Sequence, residues 1–224
     1  MAPAHRNEAL RLGAPSRGAR SLCLFLHGRG QSPEDMATHV IDRLQTPDTH
    51  FVLPRADNAA WYDARAIDPL TPLTLAQLEA AMDAIDDGFA AAIADGAPAE
   101  RPVLAGFSQG ACLATEYAMR RGRDLGALVL LTGCRVGPTA AAPRRALDGL
   151  SVYASGSDAD PWIPPDAFFA AAEDLARCGA RLRLESFPGR AHEVSDAEIA
   201  AFEAMLEQTS EVGRGGSAAA GAIR

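Results

Sequence analysis

Ser108 lies in Gly106-Phe107-Ser108-Gln109-Gly110, with a glycine two residues to either side. That spacing suits a sharp turn from a strand into a helix, with the serine hydroxyl raised at its apex. The glycines let strand and helix approach where a Cβ would clash. A serine presented in this way can attack a carbonyl carbon once a base takes its proton. The backbone N–H of Gln109 would face the same space, where the helix dipole favours developing negative charge. The pentapeptide alone carries little weight, since chance supplies it in about one of eleven chains of this composition. Its flanks add the weight: Arg101-Pro102-Val103-Leu104-Ala105 reads as a strand and Ala111-Cys112-Leu113-Ala114-Thr115 as a helix. A cysteine nucleophile is disfavoured, because the apex is serine and Cys112 falls one helical turn beyond it.

A base and an acid must follow. For a serine on such an elbow the chain order is Ser, then Asp or Glu, then His. His192 is the one histidine after Ser108; His5, His27, His39 and His50 all precede it. His192 falls in a loop after an apolar run, so the last strand would deliver it over the sheet. The acid should lie between the two. Asp158 and Asp160 both occur in Ser155-Gly156-Ser157-Asp158-Ala159-Asp160-Pro161-Trp162-Ile163-Pro164. Asp160 is preferred, because Pro161 fixes the chain after it and Ile163-Pro164 can anchor the loop. Its role would be to hold the imidazole tautomer and stabilise imidazolium. Asp158 reads as a turn residue.

An earlier run, Leu24-Phe25-Leu26-His27-Gly28-Arg29-Gly30, ends a strand at a histidine-glycine turn. That is where a second oxyanion donor arises, here the N–H of Arg29. The Arg29 side chain would put a cation at the pocket mouth. The His27 side chain is expected to pack or hydrogen-bond beneath the turn.

These residues need a scaffold. Apolar runs at Ser21–Leu26, His50–Leu53, Pro102–Ala105, Ala127–Leu131, Leu150–Ala154 and Arg181–Phe187 read as strands. Helical spacing recurs at Pro33–Leu44, Thr74–Ala94, Ser108–Arg121, Pro165–Cys178 and Asp196–Gln208. Alternation of this kind predicts a mainly parallel sheet with helices on both faces, and chemistry at the carboxyl ends of the strands. The long segment 56–73 reads as a functional loop. Within it and around it Trp61, Tyr62, Leu70, Phe107 and Trp162 are candidates for an acyl-binding groove, with Ile67 and Leu73 beside them. For Trp61 and Trp162, ordinary packing competes evenly with that role.

The 224 residues suit one domain, expected over 1–208 with 1–19 as an edge segment and 209–224 as a flexible tail. A net charge of −8 argues against a nucleic-acid partner. Four scattered cysteines predict neither a disulfide framework nor a zinc site. No apolar run reaches transmembrane length, and Ser21–Leu26 is too short for a signal peptide, so a cytoplasmic location is expected. Assembly is open between monomer and homodimer.

Taken together, the chain resembles the phospholipase/carboxylesterase family of α/β-hydrolases, which includes the acyl-protein thioesterases. The likeness rests on Leu26-His27-Gly28-Arg29-Gly30, Asn58-Ala59-Ala60-Trp61-Tyr62-Asp63, Gly106-Phe107-Ser108-Gln109-Gly110-Ala111, Asp160-Pro161-Trp162-Ile163-Pro164 and His192, in family order over residues 20 to 208. It implies a single α/β-hydrolase domain without a large cap, and a Ser108–Asp160–His192 triad. It also implies oxyanion donors at Arg29 and Gln109, and hydrolysis of a small-molecule acyl ester or thioester without metal or cofactor. Three positions depart from the family habit: Arg29 replaces an uncharged residue, Ser155-Gly156 the usual His-Gly, and Ala191 the usual glycine. With no room for a cap, the site should be open and suited to small or exposed acyl groups. A non-catalytic ligand-binding protein on the same fold is the competing reading.

Overall fold

The computed structural model describes residues 9–121, 123–138 and 146–219, with side chains as far as Ser210. Seven strands form one sheet: β1 (Leu10–Gly13), β2 (Ser21–Leu26), β3 (Thr49–Leu53), β4 (Val103–Phe107), β5 (Ala127–Leu131), β6 (Ser151–Gly156) and β7 (Arg181–Ser186). Their order is β1-β3-β2-β4-β5-β6-β7. Every pairing is parallel except β1 with β3, which is antiparallel. Five helices cover the sheet: α1 (Pro33–His39), α2 (Pro72–Ala94), α3 (Gln109–Arg120), α4 (Pro165–Arg177) and α5 (Asp196–Ala219). The expected architecture, a mainly parallel sheet between helices, is the observed one.

The strands are nearly all apolar because both sheet faces are buried, and side chains alternate between two cores. Leu22, Leu24, Leu104, Leu128, Leu130 and Val152 join Leu78 and Ile85 of α2, Leu113 of α3 and Leu175 of α4. Cys23, Phe25, Val103, Ala105, Val129 and Tyr153 join Met36 of α1 and Ile199, Phe202 and Leu206 of α5. At about 25 cal/mol per Å² of apolar surface, these two layers are the main force holding the strands in register.

Three boundaries differ from the sequence expectation. The helix expected over Pro33–Leu44 ends at His39; Val40 leaves helical geometry (φ −129°), and Ile41–Arg43 form a separate 3₁₀ turn. Val40 and Ile41 are both buried. Both are β-branched and lose χ1 freedom against a preceding helical turn, so the helix is poorly propagated there. The expected start does hold: Ser32 and Asp35 form a reciprocal capping box, with Pro33 in the first turn. β1 was not legible as a strand; it has four residues, of which Leu10 and Leu12 pack on the second core. At the other end α5 continues through Ala219, so residues 209–219 are helical where a flexible tail was expected. The helix continues from the packed Ile199–Leu206 stretch through Gly213, Gly215 and Gly216, each of which costs it about 1 kcal/mol relative to alanine. Residues 220–224 lie outside the described part of the chain.

Candidate active site

Four strand ends converge on one edge of the sheet. β2 delivers His27–Gly30, β4 delivers Ser108, β6 leads to Asp160 and β7 leads to His192. Ser108 stands between β4 and α3 with φ 54° and ψ −118°, a conformation costly for a residue with a side chain. Its N–H donates to the Leu131 carbonyl at 3.0 Å, and its own carbonyl accepts from Cys112 N–H at 3.0 Å, opening α3. The flanking glycines are sterically obligatory. A Cβ on Gly106 would stand 2.5 Å from the Gly110 carbonyl carbon, and one on Gly110 would stand 2.1 Å from the Leu26 oxygen.

The three predicted catalytic side chains are hydrogen-bonded in series. His192 Nε2 is 2.9 Å from Ser108 Oγ, and His192 Nδ1 is 2.6 Å from Asp160 Oδ2. Asp160 Oδ1 accepts from the N–H groups of Trp162 (2.8 Å) and Ile163 (2.9 Å). Burial of the Asp160 carboxyl pushes its pKa up, but the His192 bond and the two N–H donors outweigh it and hold it below the ordinary value. The carboxylate therefore faces Nδ1, which must carry the proton, and leaves the Nε2 lone pair toward Ser108. Asp158, the second candidate, turns away: its Oδ1 accepts from Gly189 N–H at 2.7 Å and ties the acid loop to the histidine loop. The Phe107 ring lies 4.9 Å from the His192 ring.

The oxyanion turn rests on His27. Its Nδ1 is 2.8 Å from the Gly28 oxygen and its Nε2 accepts from Ala56 N–H at 3.0 Å. Burial lowers its pKa, against a smaller opposing effect of the Gly28 carbonyl, so it stays a neutral structural group beneath the turn. Trp61 stacks on it at 4.8 Å and donates Nε1–H to the His27 carbonyl at 2.9 Å. Gly28 comes so close to the nucleophile that an added Cβ would lie 3.3 Å from Ser108 Cβ. Among the described residues the N–H groups of Arg29 and Gln109 have no protein acceptor, as expected for donors left open at a loop and a helix start.

The segment 56–73 is organised by two residues whose side-chain roles the sequence did not show. Gln109 accepts from Trp61 N–H at 3.0 Å and donates to the Tyr62 carbonyl at 2.9 Å. Arg29 donates to the carbonyls of Tyr62 (2.9 Å) and Ala64 (2.5 Å). The exposed Arg29 side chain thus lines a groove with Trp61 and Tyr62 while its guanidinium binds the loop backbone. Trp61 and Tyr62 are buried in the first core, and the little surface they leave accessible lines that groove with Arg29. Leu70 is half-buried, with its side chain against Gly137. Trp162 is 62% exposed beside Asp160, and Ile67 and Leu73 are also exposed. The groove, of about 850 Å³, is lined by Arg29, Trp61, Tyr62 and Asp63 together with Gln77 and Gly88 of α2, and Ser108, Asp160 and His192 do not line it. Ser108 itself is half-buried.

The strand order, the elbow and the position of the site after the strands define an α/β-hydrolase. The model of the phospholipase/carboxylesterase family matches residues 7–210. The chain belongs to that family. It is 31% identical over 124 residues to acyl-protein thioesterase 1 homolog 2 of Dictyostelium discoideum, a match covering 49% of this chain and 56% of that one. It therefore spans little more than half the length of that relative. Among solved structures it is similar to a phospholipase/carboxylesterase from Dyadobacter fermentans, 27% identical with a TM-score of 0.80, covering 89% of this chain and 96% of the other. It is also similar to esterase PE8, 26% identical with a TM-score of 0.72, covering 90% and 98%. Among the described residues no helix is long and apolar enough to cross a membrane.

Proposed function

We propose that this protein is a serine carboxylesterase or thioesterase that hydrolyses small or medium acyl esters through Ser108, His192 and Asp160. The observation that carries the reading is the Oγ–Nε2–Nδ1–Oδ2 series, with contacts of 2.9 and 2.6 Å on a strained serine. As Ser108 Oγ attacks the acyl carbon, His192 Nε2 takes its proton and Asp160 stabilises the imidazolium. The oxyanion is received by the N–H groups of Arg29 and Gln109. His192 then protonates the leaving alkoxide or thiolate, and water, deprotonated by the same nitrogen, releases the acid from the acyl-enzyme. No metal or organic cofactor enters this sequence.

The partial exposure of Ser108, with the exposed Trp162 beside Asp160, supports small or exposed acyl groups over an enclosed lipid. Leu70 and the exposed Trp162 supply apolar contact surface, whereas Phe107, Trp61 and Tyr62 are almost wholly buried.

The test is hydrolysis of p-nitrophenyl and acyl-thioester substrates of graded chain length, with Ser108→Ala alongside. We expect the variant to lose on the order of 10⁶ in kcat with an unchanged melting temperature. Turnover by the variant at the wild-type rate would overturn the reading. A wild-type protein that forms no fluorophosphonate adduct at Ser108 would instead favour a ligand-binding role.

A further inference from the structure

Arg190, two residues before His192, is drawn inward rather than out to solvent; its side chain is only 7% exposed. One terminal nitrogen, Nη1, donates to the carbonyls of Ala191 and Glu193, the two residues that flank His192. The other, Nη2, donates to Thr132 Oγ1 at 2.8 Å and stands 3.5 Å from the Glu198 carboxylate. The guanidinium also lies over the Phe187 ring at 5.5 Å. Thr132 directly follows Leu131, whose carbonyl holds the N–H of Ser108. One side chain thus grips both sides of the histidine and the strand end that fixes the serine.

Glu198 is the counter-charge that keeps Arg190 there. It is fully buried. It accepts from Ser155 Oγ at 2.5 Å and from Ser195 N–H and Oγ at 2.7 and 2.8 Å. Ser155 in turn reaches back to Thr132, whose N–H meets the Ser155 carbonyl at 3.1 Å and its Oγ at 3.2 Å. Thr132 itself has φ +57°, a strained value for a β-branched residue that surrounding bonds must hold. A buried guanidinium without a carboxylate would be strongly disfavoured, so the charge pair specifies this one arrangement.

Resting on the triad reading above, we propose that Arg190, seated by Glu198 and Thr132, is a positioning residue that sets the approach of His192 Nε2 to Ser108 Oγ. It touches neither substrate nor the reacting atoms. It determines where the histidine turn stands relative to the end of β5, and so whether proton transfer occurs at 2.9 Å or across a gap. Lysine cannot replace it fully, because an ammonium lacks the planar fork that reaches both carbonyls and the hydroxyl together.

The test uses the full chain with Arg190→Met, Arg190→Lys, Thr132→Val and Glu198→Gln. Competent sites are counted by fluorophosphonate labelling run to completion, and kcat and KM for p-nitrophenyl butyrate are expressed per labelled site. Arg190→Met should lower per-site kcat on the order of 10²-fold, the cost of roughly an ångström of misplacement, with KM little changed. Arg190→Lys should recover part of that loss. Thr132→Val removes only the bridge to β5 and should lower kcat in folded protein even where Arg190→Met fails to fold; Glu198→Gln should act in the same direction. Wild-type per-site kcat in both Arg190→Met and Thr132→Val, or losses confined to KM, would overturn the proposal. If wild-type protein forms no adduct at Ser108, the triad reading itself fails; a normal adduct with indifferent variants refutes only the positioning role.

Discussion

Replacing Asp160 by Asn separates the carboxylate's charge from its shape. Asp160 Oδ1 accepts two backbone N–H groups, from Trp162 and Ile163, at 2.8 and 2.9 Å. In the variant the amide oxygen must keep that position, because an NH₂ there would face two donors and lose both bonds. The NH₂ therefore points at His192 Nδ1, where Oδ2 now stands at 2.6 Å. A donor at that point forces Nδ1 to accept, so the ring proton moves to Nε2. Nε2 then donates to Ser108 Oγ and cannot take its proton. A wrong tautomer of this kind costs on the order of 10⁴ in kcat, or about 5 kcal/mol at 1.36 kcal/mol per decade. The melting temperature should stay close to wild type, since both backbone donors remain satisfied. Rates with p-nitrophenyl butyrate and the rate of fluorophosphonate labelling should fall together. An Asp160→Asn protein within tenfold of wild type in kcat would refute the assignment. Asp158→Asn is the matched control; it retains an oxygen for Gly189 N–H and should change kcat little.

Three further outcomes follow from the same contacts. The Asp160 pKa is lowered on folding, so its contribution to stability is complete above its unfolded value near 3.9 and is lost as pH falls through the lower folded value. Asp160→Asn should accordingly flatten the acid-side loss of melting temperature below about pH 4, measured by calorimetry. Gly110→Ala would drive a Cβ to 2.1 Å from the Leu26 oxygen, a backbone clash that cannot relax locally. It should cost ~3 kcal/mol or more and lower the melting temperature by roughly 10 °C; a stable, active Gly110→Ala protein would contradict the elbow geometry. Glu116, fully buried, binds Arg135 Nε at 2.6 Å, Arg120 Nε at 2.7 Å and Val136 N–H at 3.1 Å, away from the site. Glu116→Gln should destabilise by ~3–5 kcal/mol in denaturant melts while per-site kcat is preserved.

The sequence by itself determined the sheet class and the three side chains in series. Apolar runs alternating with helical periods are local signals, and each strand's burial on both faces shows directly as composition. Ser108, Asp160 and His192 were legible because each sits at a fixed place relative to a strand, and chain order constrains the rest. Tertiary structure decided what depends on long-range approach. The edge strand β1 is formed by pairing with β3, and the helix from Pro33 stops at His39, where the buried Val40 leaves helical geometry. The loop 56–73 has no period, so its path is set by Gln109 and Arg29, one 47 residues away and the other 33 from Tyr62. Arg190 belongs to no motif that the sequence displays. Its partners Thr132 and Glu198 come from a strand end and a helix that meet only when the sheet is assembled, and no local pattern encodes such a meeting.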